Sequence, residues 1–168
     1  LYADSSFGKI KNLDDFCRLA KENYDEAYRL FYSSNFKNLI REDKDRILYE
    51  GLRMQPQAAL IVETFLIASH HKKKVEITFE ETEKSFYGVQ EQQKEQLEIQ
   101  KPQWGAVRIH VSSDADFLIP GKQIITENDF IGSTCFYEYY IDADAMHAGK
   151  NFGRLCFELP DQSFLYTV

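Results

Sequence analysis

The side chains that could do chemistry in this chain fall into three sets, each suited to a different reaction. Five aspartates, Asp114, Asp116, Asp129, Asp142 and Asp144, lie in or beside expected loops of the second half. Several carboxylate oxygens at close spacing suit calcium. The Asp-Ala-Asp spacing occurs twice, but without the glycine turn and distal glutamate of a helix–loop–helix calcium site. Turn-forming aspartates account for the same positions. Among the histidines, His70 and His71 adjoin Lys72, Lys73 and Lys74, whose charge would repel a metal. His110 falls on the polar side of an alternating run and His147 in a loop, with no third soft ligand to complete a zinc site. Cys17, Cys135 and Cys156 are odd in number and far apart, which fits neither a disulfide framework nor a zinc ribbon. A nucleophile needs a neighbouring base. There is no Gly-x-Ser-x-Gly elbow, no Gly-rich phosphate loop and no His-Glu-x-x-His. The chain reads as non-catalytic, with no cofactor and no metal site.

Aromatic side chains are the better lead. Phe86, Tyr87, Trp104, Phe136, Tyr137, Tyr139, Tyr140 and Phe152 are many rings for one small β region. Alternation along residues 133–141 sets Phe136, Glu138 and Tyr140 on one face and Tyr137, Tyr139 and Ile141 on the other. Counting back from Val107 puts Trp104 on the outward side, beside Arg108 and His110. Trp104, Phe136 and Tyr140 are therefore the binding candidates, able to stack on sugar rings or to anchor another protein. The competing expectation is that the helical bundle covers that second face, because large exposed apolar patches are uncommon.

The elements that must position these residues change character along the chain. Residues 1–72 have helical periodicity. Asn12 can cap a helix that carries Leu13, Phe16, Leu19 and Ala20, and Asn23 or Asp25 restarts the pattern. Ile47, Leu48, Gly51 and Leu52 mark another helix, and Pro56 suits the first turn of the last one. From Val75 the apolar residues alternate. Residues 80–96 are polar and read as a hairpin-like connection or an edge segment. Short strands follow near Leu97, at Trp104–Val111, at Phe117–Ile119, at Ile124–Ile125, at 133–141, at Leu155–Leu159 and at Phe164–Val168. The fold class is α+β by segregated domains: a small N-terminal helical bundle, 1–72, then a seven- to eight-stranded antiparallel Ig-like β-sandwich, 73–168.

Charge narrows the partners. Residues 1–72 carry 11 Lys/Arg and 11 Asp/Glu, whereas 73–168 carry 9 against 16, so the whole net charge of −7 lies in the β part. That field argues against nucleic acid and against an anionic membrane surface. No apolar run approaches the ~20 residues that span a bilayer, and there is no secretory signal. The chain opens at Leu1 and stops within a strand-like run at Val168, as a piece of a longer protein would. Free-thiol usage and the lack of a signal segment lean towards the cytoplasm.

Residues 97–168, from LEIQ through WGAVRIHVSSDADFL to YEYYIDADAMHAGKNFGRLCFEL, resemble bacterial Ig-like sandwich modules. In these modules a Gly-bearing crossover loop precedes a strand that begins Gly-x-Leu, here Gly149 in the loop and Gly153-Arg154-Leu155 in the strand. Gly149 can take a positive φ, and Gly153 lets two backbones approach. The whole is similar to a section of large uncharacterised multi-domain proteins of anaerobic bacteria, in which a helical segment precedes tandem sandwiches. The resemblance implies a structural or protein-interaction module that meets another domain of the same chain or another protein. The alternative is a carbohydrate-binding module that uses exposed aromatics, with or without loop-bound calcium.

Overall fold

The computed structural model describes residues 10–168, so the first nine residues of the expected bundle lie outside the described part. The chain divides into two compact units at Lys74 and Val75.

In the first unit the helices are α1 (Leu13–Glu22), α2 (Tyr24–Phe31), α3 (Asp43–Arg53) and α4 (Ile61–Ala68), with a 3-10 turn at Phe36–Leu39. Asn12 caps α1, its side-chain oxygen accepting from the Asp15 N–H at 2.8 Å. Asn23 ends one helix and starts the next: its N–H donates to the Leu19 carbonyl and its side chain accepts from the Glu26 N–H. One capping residue therefore divides what would otherwise be a single long helix. The rings of Phe16, Phe31, Phe36, Tyr49 and Phe65 meet at the centre, mostly edge to face, with Phe16 and Phe36 centroids 4.6 Å apart. Such pairs each add about 0.5–1.5 kcal/mol beyond area burial.

The expected helix around Ile47, Leu48, Gly51 and Leu52 is α3, which leaves Ile47 exposed and turns Asp45 and Tyr49 inward. The Tyr49 hydroxyl donates to the Phe31 carbonyl at 2.6 Å, which ties the helix down by that face. Helix α4 does not start at Pro56 but at Ile61. The Tyr24 hydroxyl is inserted where the first helical bond would form, donating to the Ala59 carbonyl at 2.6 Å and approached by the Glu63 N–H at 3.4 Å. A side chain of α2 thus takes the place of an i→i−4 bond of α4.

Beyond α4, His70 adopts φ +63. Its N–H donates to the Ile67 carbonyl and that of His71 to the Leu66 carbonyl. This is a Schellman cap with histidine where glycine is usual. The reversal turns Lys72 inward to pair with Glu63 at 3.5 Å, both side chains being almost fully buried.

The second unit holds eight strands: β1 (Thr78–Phe79), β2 (Gln93–Gln100), β3 (Arg108–Ser113), β4 (Leu118–Pro120), β5 (Ile124–Thr126), β6 (Thr134–Ile141), β7 (Arg154–Glu158) and β8 (Ser163–Thr167). They form two antiparallel sheets of four, in the orders β1-β2-β6-β4 and β5-β3-β7-β8. One apolar cluster draws on both, including Ile99, Leu118 and Tyr139 from the first sheet and Ile109, Phe157 and Tyr166 from the second. The polar run 80–96 is only partly a connection. Glu83 forms a parallel bridge to Thr167, so residues 82–84 run along the outer edge of β8. From Gln93 onward the chain is already strand, because β2 pairs with β6 along its full length. The expected strand start at Trp104 is also corrected. Strand β3 begins at Arg108, and Gly105 has φ +135. The Lys101 ammonium donates to the Gly105 carbonyl at 2.9 Å. Alternation therefore says nothing about which way Trp104 faces.

Candidate functional site

The loops at one end of the sheets enclose a cleft of about 560 Å³. One wall is the segment 85–89 before β2, and the other is the β6–β7 connection. That connection is held by one side chain. The Asn151 oxygen accepts from the His147 N–H at 3.1 Å, and its amide donates to the carbonyls of His147 and Gly149 at 2.8 and 3.3 Å. Gly149 has φ +95 with open space about it, so backbone conformation alone asks for glycine there. The tied loop ends in Phe152, 75% exposed, while Tyr87 on the opposite wall is 92% exposed. Beneath them Phe86, Phe117 and Met146 line the floor, the first and last half-buried against the core. Among the described residues, Lys150 is the one Asp, Glu, Lys or Arg that lines the cleft.

A second groove of about 530 Å³ is lined by β4, β6 and the segment from Gly121 to Asp129 that includes β5. Phe136, half exposed, and Tyr140, partly buried, line it with Ile119 and Pro120. Between the two rings, Glu138 pairs with Lys94 at 3.1 Å. Tyr137 and Tyr139 point the other way, into the core. Two of the three residues singled out in the sequence thus share one groove. Trp104 does not line it; it sits partly buried in the β2–β3 connection.

A family model described as the N-terminal part of DUF5717, a family of unknown function, matches residues 1–168. The chain belongs to the DUF5717 family. No curated protein matches it.

In this DUF5717 N-terminal chain several of the groups that could react are engaged in structure. Burial pushes the Cys135 thiol up to about 11 and raises Cys17 and Cys156 as well, so all three favour the thiol over the nucleophilic thiolate. The Asp114 carboxylate takes hydrogen bonds from the Arg154 backbone at 2.6 Å and guanidinium at 2.9 Å, which hold it below the usual carboxylate range. Burial pushes Asp129 up, but Lys122 and the Thr126 N–H outweigh it and hold it low. Asp142 accepts from the Asp144 N–H in a 3-10 turn at Ala143–Ala145. Among the described residues, no three His, Cys, Asp or Glu side chains converge as a metal site would require. Nor is any helix among them long and apolar enough to cross a membrane. In the helical unit the His71 ring lies between Asp14 at 3.4 Å and buried Asp45 at 3.8 Å. That cluster joins the starts of α1 and α3 to the cap of α4.

Sequence reasoning named Tyr87 and Phe152 among the rings but did not bring them together. A usable signal was present: each ring adjoins or lies near a glycine of positive φ, Gly88 and Gly149, in a polar segment. The Asn151 side-chain bonds that fix the loop have no sequence pattern comparable to a helix cap.

Proposed function

We propose that the chain is a non-catalytic protein-interaction module of a larger bacterial protein, a helical bundle followed by an Ig-like β-sandwich. Strand order supports the Ig-like reading. With β5 set aside, β1-β2-β6-β4 follows the A-B-E-D order and β3-β7-β8 the C-F-G order of such sandwiches. Strand β5 departs from the pattern, entering between D and E in sequence and bordering C. The family's description as an N-terminal part is in keeping with a place in longer proteins.

The observation that carries the interaction reading is the exposed pair Tyr87 and Phe152 on either wall of the loop-end cleft. Large exposed rings are the anchors that protein recognition uses, and the Asn151 bonds preorganise the Phe152 side, which lowers the ordering cost of binding. The test is titration of purified partner proteins against the wild type and the Tyr87→Ala/Phe152→Ala double variant. Affinity should fall at least about tenfold at unchanged melting temperature, in line with the loss of anchor residues. Unchanged affinity would end the reading.

A carbohydrate-binding module is the second reading, favoured by Phe136 and Tyr140. They share a strand face four residues apart, about 14 Å at strand rise, and rings so placed could stack on sugars. A glycan array decides it: saturable binding lost in Phe136→Ala and Tyr140→Ala supports it, and binding lost in Trp104→Ala would add that residue to the site.

A further inference from the structure

We propose that the loop-end cleft is the unfilled end of the slot that holds β8, and that its occupant is the segment of this chain that follows Val168 in the longer protein. The proposal rests on the interaction reading above and names the partner as the chain's own next segment, added as a continuation of β8. The family's description of these residues as an N-terminal part implies further chain after them.

The register of β8 carries the argument. On one side β8 pairs antiparallel with β7, and Val168 exchanges both backbone bonds with Gly153. On the other side Glu83 bridges Thr167 in parallel, with the Thr167 N–H on the Thr82 carbonyl and the Lys84 N–H on the Thr167 carbonyl. Both neighbours extend past the end of β8. One does so backwards through residues 149–152 and the other forwards through residues 85–89. Those two extensions are the walls of the cleft, and Val168 itself lines it. The cleft therefore opens along the line that a longer β8 would follow.

Backbone groups on both walls match such a strand. Bonded pairs in an antiparallel ladder recur at every second residue, so the second residue after Val168 falls opposite Asn151. In the parallel ladder the first residue after Val168 would donate to the Lys84 carbonyl and accept from the Phe86 N–H. No other described residue bonds to the Asn151 N–H or carbonyl, to the Lys84 carbonyl or to the Phe86 N–H. The Asn151 side chain meanwhile fixes its own loop, which holds that wall in place. Side chains alternate along β8, with Leu165 exposed, Tyr166 buried and Val168 packed against the core. The second residue after Val168 thus faces the floor of Phe86, Phe117 and Met146, where an apolar side chain would extend the core. A segment tethered at Val168 reaches the cleft at the high effective concentration of an intramolecular contact, ahead of a free partner.

The experiment is amide hydrogen exchange on three isotope-labelled forms. One is the chain as far as Val168, one is lengthened by about ten of the residues that natively follow it, and one by a Gly-Ser tail of the same length. The Phe86 and Asn151 amides should exchange at least about tenfold more slowly in the natively lengthened form than in the other two. Shift changes should be confined to residues 84–89 and 146–152. Proline at the first or second added position removes an N–H that the ladder needs and should abolish the protection, with the melting temperature of the rest of the unit as control. Equal exchange of the two amides in the native and Gly-Ser forms, or protection that survives both prolines, would overturn the inference. If the natively lengthened form exchanges like the shorter chain while partner proteins still lose affinity in the Tyr87→Ala/Phe152→Ala variant, the cleft takes a segment of another protein. The interaction reading then survives and only this occupant fails.

Discussion

The helical unit buries charge, and the sheet unit buries neutral hydroxyls. In the first, Glu63, Lys72 and Asp45 are all below one-tenth exposed. In the second, the buried polar side chains are chiefly the tyrosines Tyr137, Tyr139 and Tyr166. Lys101 is an exception, its ammonium on the Gly105 carbonyl and near the Phe130 ring. The difference follows from backbone geometry. In the helical unit the cap after α4 carries Lys72 inward to Glu63 and sets His71 beside Asp45. A sheet satisfies its backbone across strands and leaves inward positions to side chains that are apolar for most of their length. The lesson is that the two units should answer differently to the same kinds of perturbation.

The largest effect is expected at the buried ion pair. Glu63→Ala leaves Lys72 charged without that carboxylate and should cost about 3–5 kcal/mol, and Lys72→Met leaves the buried Glu63 carboxylate without that ammonium at a similar cost. Replacing both together by apolar residues of like volume should be near neutral or stabilising. Amide exchange across α1–α4 reads this directly. A cost below about 1 kcal/mol for Glu63→Ala would remove charge burial as the mark of this unit.

Glycine to alanine changes should have opposite signs in the two units. A Cβ on Gly153 would lie 2.8 Å from the Ala115 Cβ and 3.0 Å from the Phe117 ring, so Gly153→Ala should destabilise by about 1–3 kcal/mol. The expected reason was close approach of two backbones; the contacts are with side chains instead. Gly51 lies within α3 with nothing near its Cβ position, and Gly51→Ala should stabilise by about 0.5–1 kcal/mol. Melting temperatures of both variants check the pair.

Alkali should affect the sheet unit more. Burial raises the phenols of Tyr137, Tyr139 and Tyr166, so above the ordinary value of 10.0 the folded state holds protons that the unfolded chain has lost. Their contribution is complete below pH 10 and is lost as pH rises beyond it. Cys135, ordinarily 9.0 and pushed to about 11, starts the loss somewhat earlier. In the helical unit Tyr24, Tyr32 and Cys17 act in the same direction. Lys72 opposes them: burial lowers it from 10.5, so stability gained there grows as pH rises through that window. Exchange protection between pH 9 and 11 should therefore fall first in β2, β3, β6 and β7, and earlier loss in α1–α4 would contradict the comparison.

The smallest effect is expected at Tyr139 and Tyr166, whose buried hydroxyls face each other and make no well-formed hydrogen bond among the described residues. Replacing either by Phe should leave stability unchanged or raise it by up to about 1 kcal/mol. A loss of more than that would show that the hydroxyls contribute to the core.

What could be read from the sequence was what repeats or caps. Asn12 and Asn23 start their helices because a short amide side chain replaces a missing backbone acceptor, a local event. The inward set Tyr137, Tyr139 and Ile141 followed from strand alternation, and α+β order with eight strands in two antiparallel sheets was within its reach. What it missed depended on distant residues. Pro56 was read as the first turn of the last helix, but α4 starts at Ile61, where the Tyr24 hydroxyl takes the Ala59 carbonyl. Trp104 was assigned a face by alternation, yet Gly105 interrupts the strand that the count assumed. The loop-end cleft gathers residues from segments some sixty positions apart, which no local pattern links.

The last strand has a mechanical consequence. Val168 exchanges two backbone hydrogen bonds with Gly153, at 2.8 and 3.1 Å, on the antiparallel side of β8. Thr167 exchanges two more with Thr82 and Lys84, both at 2.9 Å, on its parallel side. Tension drawn along the chain at Val168 would peel the antiparallel side one bond after another. The parallel side would be sheared, both of its bonds resisting together. The segment 82–84, though only a few residues long, is thus the clamp that sets how much pull the end of this unit withstands before β8 comes away.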